Sequence, residues 1–522
     1  MKKDHKDIIA LILLVVFNLL LAFIRVDQSK PPMEDAAMLM RYAENFSAGH
    51  GIVWNIGEDP VDGGTDFLAI IFIGMLNSTG LSIESSVKLL CVLSHILLVL
   101  LVYVTSRKFW NQSYLVSMGI SLYLTVGPGL YYSGAYFTTS FFALFVLLTW
   151  IAAMKLMRDP ASTKQMILFP LFALISGLIR PEGAILSIVI LFAILYFNGV
   201  KNSSKIIKYF LLIFAAAGAV YFLWRWSYFG YPLPNPLYKK GGIHPGSLLL
   251  SVRNVLFMTI PFILLYIYGL LNVKSRKLTV SYLIPVISFT IMFIFVSSQM
   301  NISGRFQYAI VPVILVSWQP FYTALIQNIR DTLQSTHIFR NSIFQITALI
   351  IFFAGAVTYQ YYDGKIQLHG DGNYEIGKLL HRYSDRGYTV ATSEAGLIPF
   401  YSKWNAVDTW GLNDKWIAHN VKINEGYLEL IKPEVISFHF LGIRENSQSG
   451  WIKEWVEMTE TMKNYAETHN YVLAAVYGPD QGNSFYFYVK NDLPERRNII
   501  DEIRQVNFIW YESGNTVSNL EQ

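Results

Sequence analysis

Residues 8–25 read IIALILLVVFNLLLAFIR, where only Asn18 and the terminal Arg25 are polar. A hydrocarbon core of about 30 Å needs roughly 20 apolar residues in a helix, so this run is a membrane span. It follows Lys2, Lys3 and Lys6, as the apolar core of a signal peptide would. Phe23-Ile24-Arg25 offers no small-residue cleavage site, however, and the run reads as a retained anchor.

Working outward from it, comparable runs recur at 86–106, 114–131, 135–154, 166–179, 183–198, 207–228, 249–271, 279–297, 306–327 and 343–361. With the first, that makes about eleven spans. The run 166–179 is short and contains Pro170. FLAIIFIGML (67–76) is too short to span and reads as an interfacial or re-entrant helix. Composition agrees: 53% of residues are hydrophobic and 15% charged, against about 25% charged in soluble domains. The 12 Trp and 32 Tyr suit membrane interfaces. A net charge of +5 over 522 residues argues against a nucleic-acid partner. Cys91 is the single cysteine, so an intramolecular disulfide is excluded.

The cations test this map, because cytoplasmic loops carry excess Lys and Arg. With the N-terminus cytoplasmic, the inner loops hold Arg107 and Lys108; Lys155, Arg158 and Lys164; Lys201, Lys205 and Lys208; Lys274, Arg276 and Lys277; then Arg330 and Arg340. The outer loops 132–134 and 298–304 contain neither Lys nor Arg. One span more or fewer breaks this alternation. The expectation is a multi-pass protein of the inner or plasma membrane. Residues 1–362 form the membrane domain, and 363–522 form an extracytoplasmic α/β domain. In that second part, strand-like runs (388–392, 433–440, 471–477, 484–489) alternate with helix-like ones (374–384, 451–468).

The same topology puts four features outside. The first outer loop (26–66) opens on Glu34 and Asp35. Ala36 to Ala48 reads as a short amphipathic helix bearing Arg41 and Tyr42. A glycine-rich turn follows with His50, Trp54, Glu58, Asp59, Asp62 and Asp66. Carboxylates at a helix start can simply favour its dipole; their density beside the membrane also suits chemistry. The corner Arg180-Pro181-Glu182-Gly183 is the second feature. The third is FGYPLPNPLYKKGGIHPG (229–246), whose prolines predict a stiff, extended loop carrying Asn235, Tyr238, Lys239 and Lys240. These lysines either anchor to headgroups or clamp a lipid phosphate. Arg180 and Arg305, at outer span ends, suit a phosphate or a carboxylate. The fourth feature is the outer domain itself. Within the spans, His95 reads as packing and Gly127-Pro128 as a kink.

In this order, these pieces resemble the GT-C superfamily of membrane glycosyltransferases. Within it they are most similar to the branch containing the arabinofuranosyltransferases of bacterial cell-wall assembly. The resemblance rests on Glu34-Asp35-Ala36, Arg41-Tyr42-Ala43, Gly49-His50-Gly51-Ile52-Val53-Trp54-Asn55, Gly63-Gly64-Thr65 and Arg180-Pro181-Glu182-Gly183. It continues through Gly230, Leu233-Pro234-Asn235, Tyr238, Lys240 and Arg305-Phe306 to Ala395-Gly396-Leu397-Ile398-Pro399 and Gly411-Leu412-Asn413-Asp414. Two departures stand out. The second outer loop carries Ser133-Gly134-Ala135-Tyr136 where the family usually has a Glu, and Gly64-Thr65-Asp66 lacks the usual Tyr-Thr pair.

The resemblance implies a polyprenyl-phosphate-linked sugar as donor and a first-loop carboxylate as base, with inversion. A phosphate leaves without protonation if cations stabilise it, so one carboxylate can serve where a glycosidase needs two. Asp35, with Glu34 second, is the candidate base. Lys239, Lys240, Arg180 and Arg305 are candidates for the donor phosphate, and Arg41, Tyr42, His50, Trp54, Glu182, Asn235 and Tyr238 for the substrate pocket. The resemblance names no certain cofactor, and a divalent metal is left open. The acceptor is a glycan, lipid or protein, and membrane lipids surround the chain. The rival readings are a flippase or transporter for a lipid-linked saccharide and a membrane sensor or scaffold. Transporters keep ionisable groups near the midplane, whereas here they collect at outer span ends.

Overall fold

The computed structural model describes residues 2–26, 30–298, 300–332, 342–363, 372–420, 422–442, 450–480 and 482–509. The expected basic residue Arg340 and the start of the outer domain before residue 372 lie outside the described residues. All eleven apolar runs fall on helices. By length and composition, eight of the described helices can cross a membrane: His5–Arg25, Ile83–Phe109, Thr139–Arg158, Pro181–Asn198, Lys201–Phe229, Pro245–Leu271, Val273–Phe295 and Ile302–Ile329.

The other three runs are shorter or broken. Thr163–Ile179 and Ile346–Tyr362 are short apolar helices. The run 114–131 divides into Tyr114–Val126 and Pro128–Gly134. Gly127 turns extended between them, and Pro128 opens the second helix, where its missing N–H costs nothing. The chain is thus a polytopic α-helical membrane protein carrying a small α/β domain.

After α1 (Lys2–Arg25), residues 26–77 build two further helices, α2 (Glu34–Ser47) and α3 (Phe67–Asn77). α3 is the short apolar segment expected not to span. It lies against α2 where Gly74 meets the Phe46 ring and the Ala43 carbonyl, a contact too close for any Cβ. The loop after Phe229 corrects the extended reading: Asn235–Lys240 is helical. Proline fits the first turn of a helix, where no N–H is needed, so the prolines start this helix and do not prevent it.

In the outer domain, β1 (Thr389–Thr392), β2 (Asn405–Asp408), β3 (Val435–Leu441), β4 (Tyr471–Asp480) and β5 (Asn483–Lys490) form one sheet in the order β2-β1-β3-β5-β4. β2–β1 and β1–β3 are parallel, and β3–β5 and β5–β4 antiparallel. Alternation along the strands sets the two faces. Ile436, Phe438, Tyr486 and Tyr488 pack with Trp455, Met458 and Met462 of the helix Gly450–Thr468. Val435, Phe485, Phe487 and Val489 face the other way, into an apolar core that runs on into the membrane bundle. That continuity seats the outer domain on the ends of the spans. β2, only four residues long, was not foreseen in the sequence.

Candidate functional site

Asp35 occupies the first turn of α2, where the helix dipole favours a negative charge. Its carboxylate pairs directly with the Arg305 guanidinium. Arg305 enters from a tight turn at the head of its span, where Ser303 and Gly304 both take positive φ, 53° and 72°. Its guanidinium lies over the Phe137 ring at 4.0 Å, and Arg305 and Arg180 both approach the Phe306 ring, at 5.2 and 5.7 Å. Arg180 is set by the Arg-Pro step. Pro181 forces the preceding residue extended (φ −146°, ψ 140°), which ends one helix and starts the next. Lys240 comes from the helix Asn235–Lys240, held in place by a Ser297 N–H bond to its carbonyl at 2.9 Å.

Asp35 is therefore surrounded by cations. Burial acts to raise its pKa, but Arg305, Lys240 and Arg180 outweigh burial and hold the carboxyl below the usual carboxylate range. Burial lowers the Lys240 ammonium, with Asp35 opposing. The same two segments hold three buried N–H groups without a protein partner: Arg305 Nε, Gln307 Nε2 and Asn235 Nδ2. A site rich in unspent donors and cations suits an anionic ligand.

Behind this cluster, further acid–cation pairs fix the loop. Arg180 lies 3.2 Å from Asp66 and 3.6 Å from Glu182, and Asp66 also accepts from the Thr138 hydroxyl. Asp62 takes a bidentate bond from Arg225, at 2.7 and 2.6 Å. Arg225 and Thr138 were missed in the sequence. An arginine inside the apolar run 207–228, between Trp224 and Trp226, was the available signal.

Glu34, the second candidate base, points away from this cluster. Its carboxylate accepts from the backbone N–H groups of Gly396 (2.9 Å) and Leu397 (2.8 Å) and from Asn373 Nδ2 (3.2 Å), all in the outer domain. Burial and the nearby Glu394 push its pKa up to about 8. Three residues expected in the pocket are likewise committed elsewhere. Arg41 donates to the carbonyls of Trp54 (2.7 Å), Trp404 (2.8 Å) and Pro399 and to Asn55 Oδ1 (2.8 Å). Tyr42 donates to Asn413 Oδ1 at 2.9 Å, and Trp54 Nε1 to the Ala406 carbonyl at 2.8 Å. All three are buried and brace α2 against the outer domain. Their motif positions were legible; their direction depends on a tertiary contact that no local pattern carries.

His50 is exposed just past the end of α2. Lys239 turns from Asp35 and lies over the Trp410 ring of the outer domain at 4.6 Å. Tyr238 is half-exposed at the same seam. Tyr136, where the sequence resemblance leads one to expect a Glu, is buried with φ 66° and receives Lys88 over its ring at 5.1 Å. Among the described residues, no three His, Cys, Asp or Glu side chains converge as a metal site.

A helical bundle, an ionic cluster at the ends of its spans and an α/β domain seated over that cluster define a membrane protein with a GT-C-like fold. The crystal structure of ArnT from Cupriavidus metallidurans, bound to undecaprenyl phosphate, matches with a TM-score of 0.56 at 11% identity, over 91% of this chain and 97% of that one. The oligosaccharyltransferase of Archaeoglobus fulgidus, in complex with Zn and sulfate, matches with a TM-score of 0.51 at 12% identity, over 91% and 72%. The arabinofuranosyltransferase AftD from mycobacteria matches with a TM-score of 0.52 at 10% identity over 92% of this chain and 40% of its own length. In sequence, residues 358–488 match a family described as a domain of unknown function, DUF8728. No curated protein matches.

Proposed function

We propose that this protein transfers a glycosyl group from a polyprenyl-phosphate-linked donor to a hydroxyl of a cell-envelope acceptor, on the extracytoplasmic side of the membrane. The observation that carries the reading is Asp35, a carboxylate held ionised at a membrane-edge cluster of Arg305, Lys240 and Arg180. The unspent donors Arg305 Nε, Gln307 Nε2 and Asn235 Nδ2 lie on the same segments. The GT-C-like fold and the undecaprenyl phosphate bound by ArnT support the same donor class.

In the proposed step, the acceptor O–H gives its proton to the Asp35 carboxylate while its oxygen attacks the anomeric carbon. The bond from that carbon to the phosphate oxygen breaks, and polyprenyl phosphate leaves with the electron pair. Attack opposite the leaving group gives inversion. Lys240, Arg180 and Arg305 stabilise the charge that develops on the phosphate. Asp35 is a weak base, which suffices because the acceptor oxygen turns strongly acidic as its bond to the anomeric carbon forms; the phosphate leaves without an acid. Glu182 pairs with Arg180 at 3.6 Å, and Asn235 opens the short helix that carries Lys240.

The test is reconstitution of the purified protein with a panel of polyprenyl-phosphate sugars and envelope acceptors, with mass analysis of products. Envelope glycans from a strain lacking the gene would be analysed in parallel. Transfer of one sugar type in vitro, and its loss from the envelope, is the expected result. An unchanged envelope, together with no transfer from any donor, sinks the reading.

A further inference from the structure

Two aromatic stacks share one short helix, Lys415–His419, at the seam between the 229–248 loop and the outer domain. The Tyr231 ring lies flat on the His419 imidazole, with centroids 3.7 Å apart and planes 19° from parallel. Tyr238 leans on the same imidazole at 4.5 Å. One turn back on the helix Lys415–His419, Trp416 stacks on Tyr427 at 4.5 Å and 6°. Tyr231, Tyr238 and Trp416 remain 37%, 39% and 37% exposed.

These rings are held rather than loose. Tyr427 donates its hydroxyl to Asp414 Oδ2 at 2.6 Å, while Asp414 Oδ1 caps the helix by accepting from the Ile417 N–H at 2.9 Å. Polar groups flank them: Asp414 itself, Lys415 beside Gly230, and Glu58 of the first loop, close enough to act electrostatically on Asp414 and Tyr427. Flat rings edged by carboxylates and an amine match a sugar, which offers an apolar C–H face and a rim of hydroxyls. An acyl chain has no use for the acids, and a nucleic acid would be repelled by them. The position fits as well, since Tyr238 shares its short helix with Lys240, which acts on Asp35.

We propose that Trp416, Tyr231 and Tyr238 form a platform for a sugar ring of the acceptor, beside the Asp35 cluster. This rests on the glycosyltransfer reading and names the acceptor as a carbohydrate.

The test uses the full-length protein in nanodiscs, probed with defined arabinan, galactan, mannan and rhamnan oligosaccharides. One class should bind. Trp416→Ala and the double variant Tyr231→Ala/Tyr238→Ala should each weaken that binding by roughly threefold to tenfold. Trp416→Phe should stay within about twofold, since a ring face is kept. Asp35→Asn separates the two readings, because it should stop transfer yet keep saccharide binding. If Asp35→Asn is inactive but saccharide binding ignores the Trp416 and tyrosine substitutions, the platform is wrong and the transferase stands. If those substitutions abolish saccharide binding while Asp35→Asn transfers normally, the platform stands and the base is wrong. No binding of any class, or an effect of Trp416→Ala on lipid partitioning alone, overturns the proposal.

Discussion

Glu34 and Gly396 touch across the boundary between the membrane bundle and the outer domain: the Gly396 N–H donates to the Glu34 carboxylate at 2.9 Å. A Cβ at position 396 would overlap both the carboxylate and the backbone oxygen of Glu34. Because Asp35 is the next residue, this contact sets where the α2 helix begins and where Asp35 points. Gly396→Ala should therefore lower turnover by displacing Asp35, although every residue of the ionic cluster is kept. A shift near 1 Å at the reacting group can cost about a hundredfold. Turnover would be compared with limited proteolysis of the outer domain, and an Ala variant that keeps normal turnover would show that docking does not position Asp35.

The burial of Glu34 at this boundary makes stability depend on pH. In the fold, burial and Glu394 raise Glu34 to about 8, against about 4.3 for an unfolded glutamate. Between these values the folded chain holds a proton that the unfolded chain releases. The contribution to stability is fully present below the unfolded value and is lost as pH rises through about 8. The melting temperature in detergent should thus fall across this window, and Glu34→Gln, which cannot ionise, should flatten the fall. Parallel curves for the two proteins would remove Glu34 as the cause.

How much of this could be read beforehand follows from the range of each signal. Most spans were legible because eighteen or more largely apolar residues in a row leave few alternatives, and the shorter runs 166–179 and 183–198 were read from their place in the charge alternation. The strands β1, β3, β4 and β5 lie in runs of apolar and β-branched residues, whereas β2 (Asn405–Asp408) begins on Asn and ends on Asp, residues depleted in strands. The cluster of Asp35, Arg180, Lys240 and Arg305 was named from local motifs. The partnering of Arg41, Tyr42 and Trp54 with Pro399, Asn413 and Ala406 joins residues more than 350 positions apart. Nothing local in α2 announces that. The helix Asn235–Lys240 was misread because prolines were weighed as breakers and not as helix starters.

The neighbouring lysines should separate by their geometry. Lys240 is within reach of Asp35, Arg305 and Arg180, while Lys239 lies over Trp410. Charge-assisted contacts are worth about 1.5–3 kcal/mol when desolvated. Lys240→Ala should raise the donor KM on the order of tenfold to a hundredfold. Lys239→Ala should have the smaller effect on donor use and the larger one on outer-domain docking. Equal donor dependence in wild type and Lys240→Ala would return that lysine to packing.

Orientation is open to a direct measurement. The alternation of basic loops predicts that reporter fusions after residues 110, 160, 203 and 275 read cytoplasmic, and that fusions after 134 and 240 read external. The structure adds a constraint: residues 34, 35, 180, 240, 305 and 396 share one end of the bundle. A cytoplasmic signal after 240 would therefore place the whole cluster inside and end the proposal of an extracytoplasmic reaction.

The base is the most exacting test. Asp35 is held ionised by Arg305, Lys240 and Arg180 against the effect of burial. Its side chain keeps 23% of its surface exposed, so an acceptor hydroxyl can approach. Asp35→Asn nearly preserves shape and can still meet Arg305 through its carbonyl oxygen, but it cannot take a proton. Turnover should fall by about 10²–10⁴-fold, the usual weight of a positioned base. Donor binding should change little or tighten, because removing a negative charge beside Lys240 and Arg180 frees them for phosphate. That pairing of lost turnover with retained donor affinity is what distinguishes a base from a structural carboxylate. Glu34→Gln should behave differently, altering the pH profile of stability more than the chemical step. Near-normal transfer by Asp35→Asn would exclude Asp35 as the base, and loss of transfer in Glu34→Gln alone would exchange the two roles.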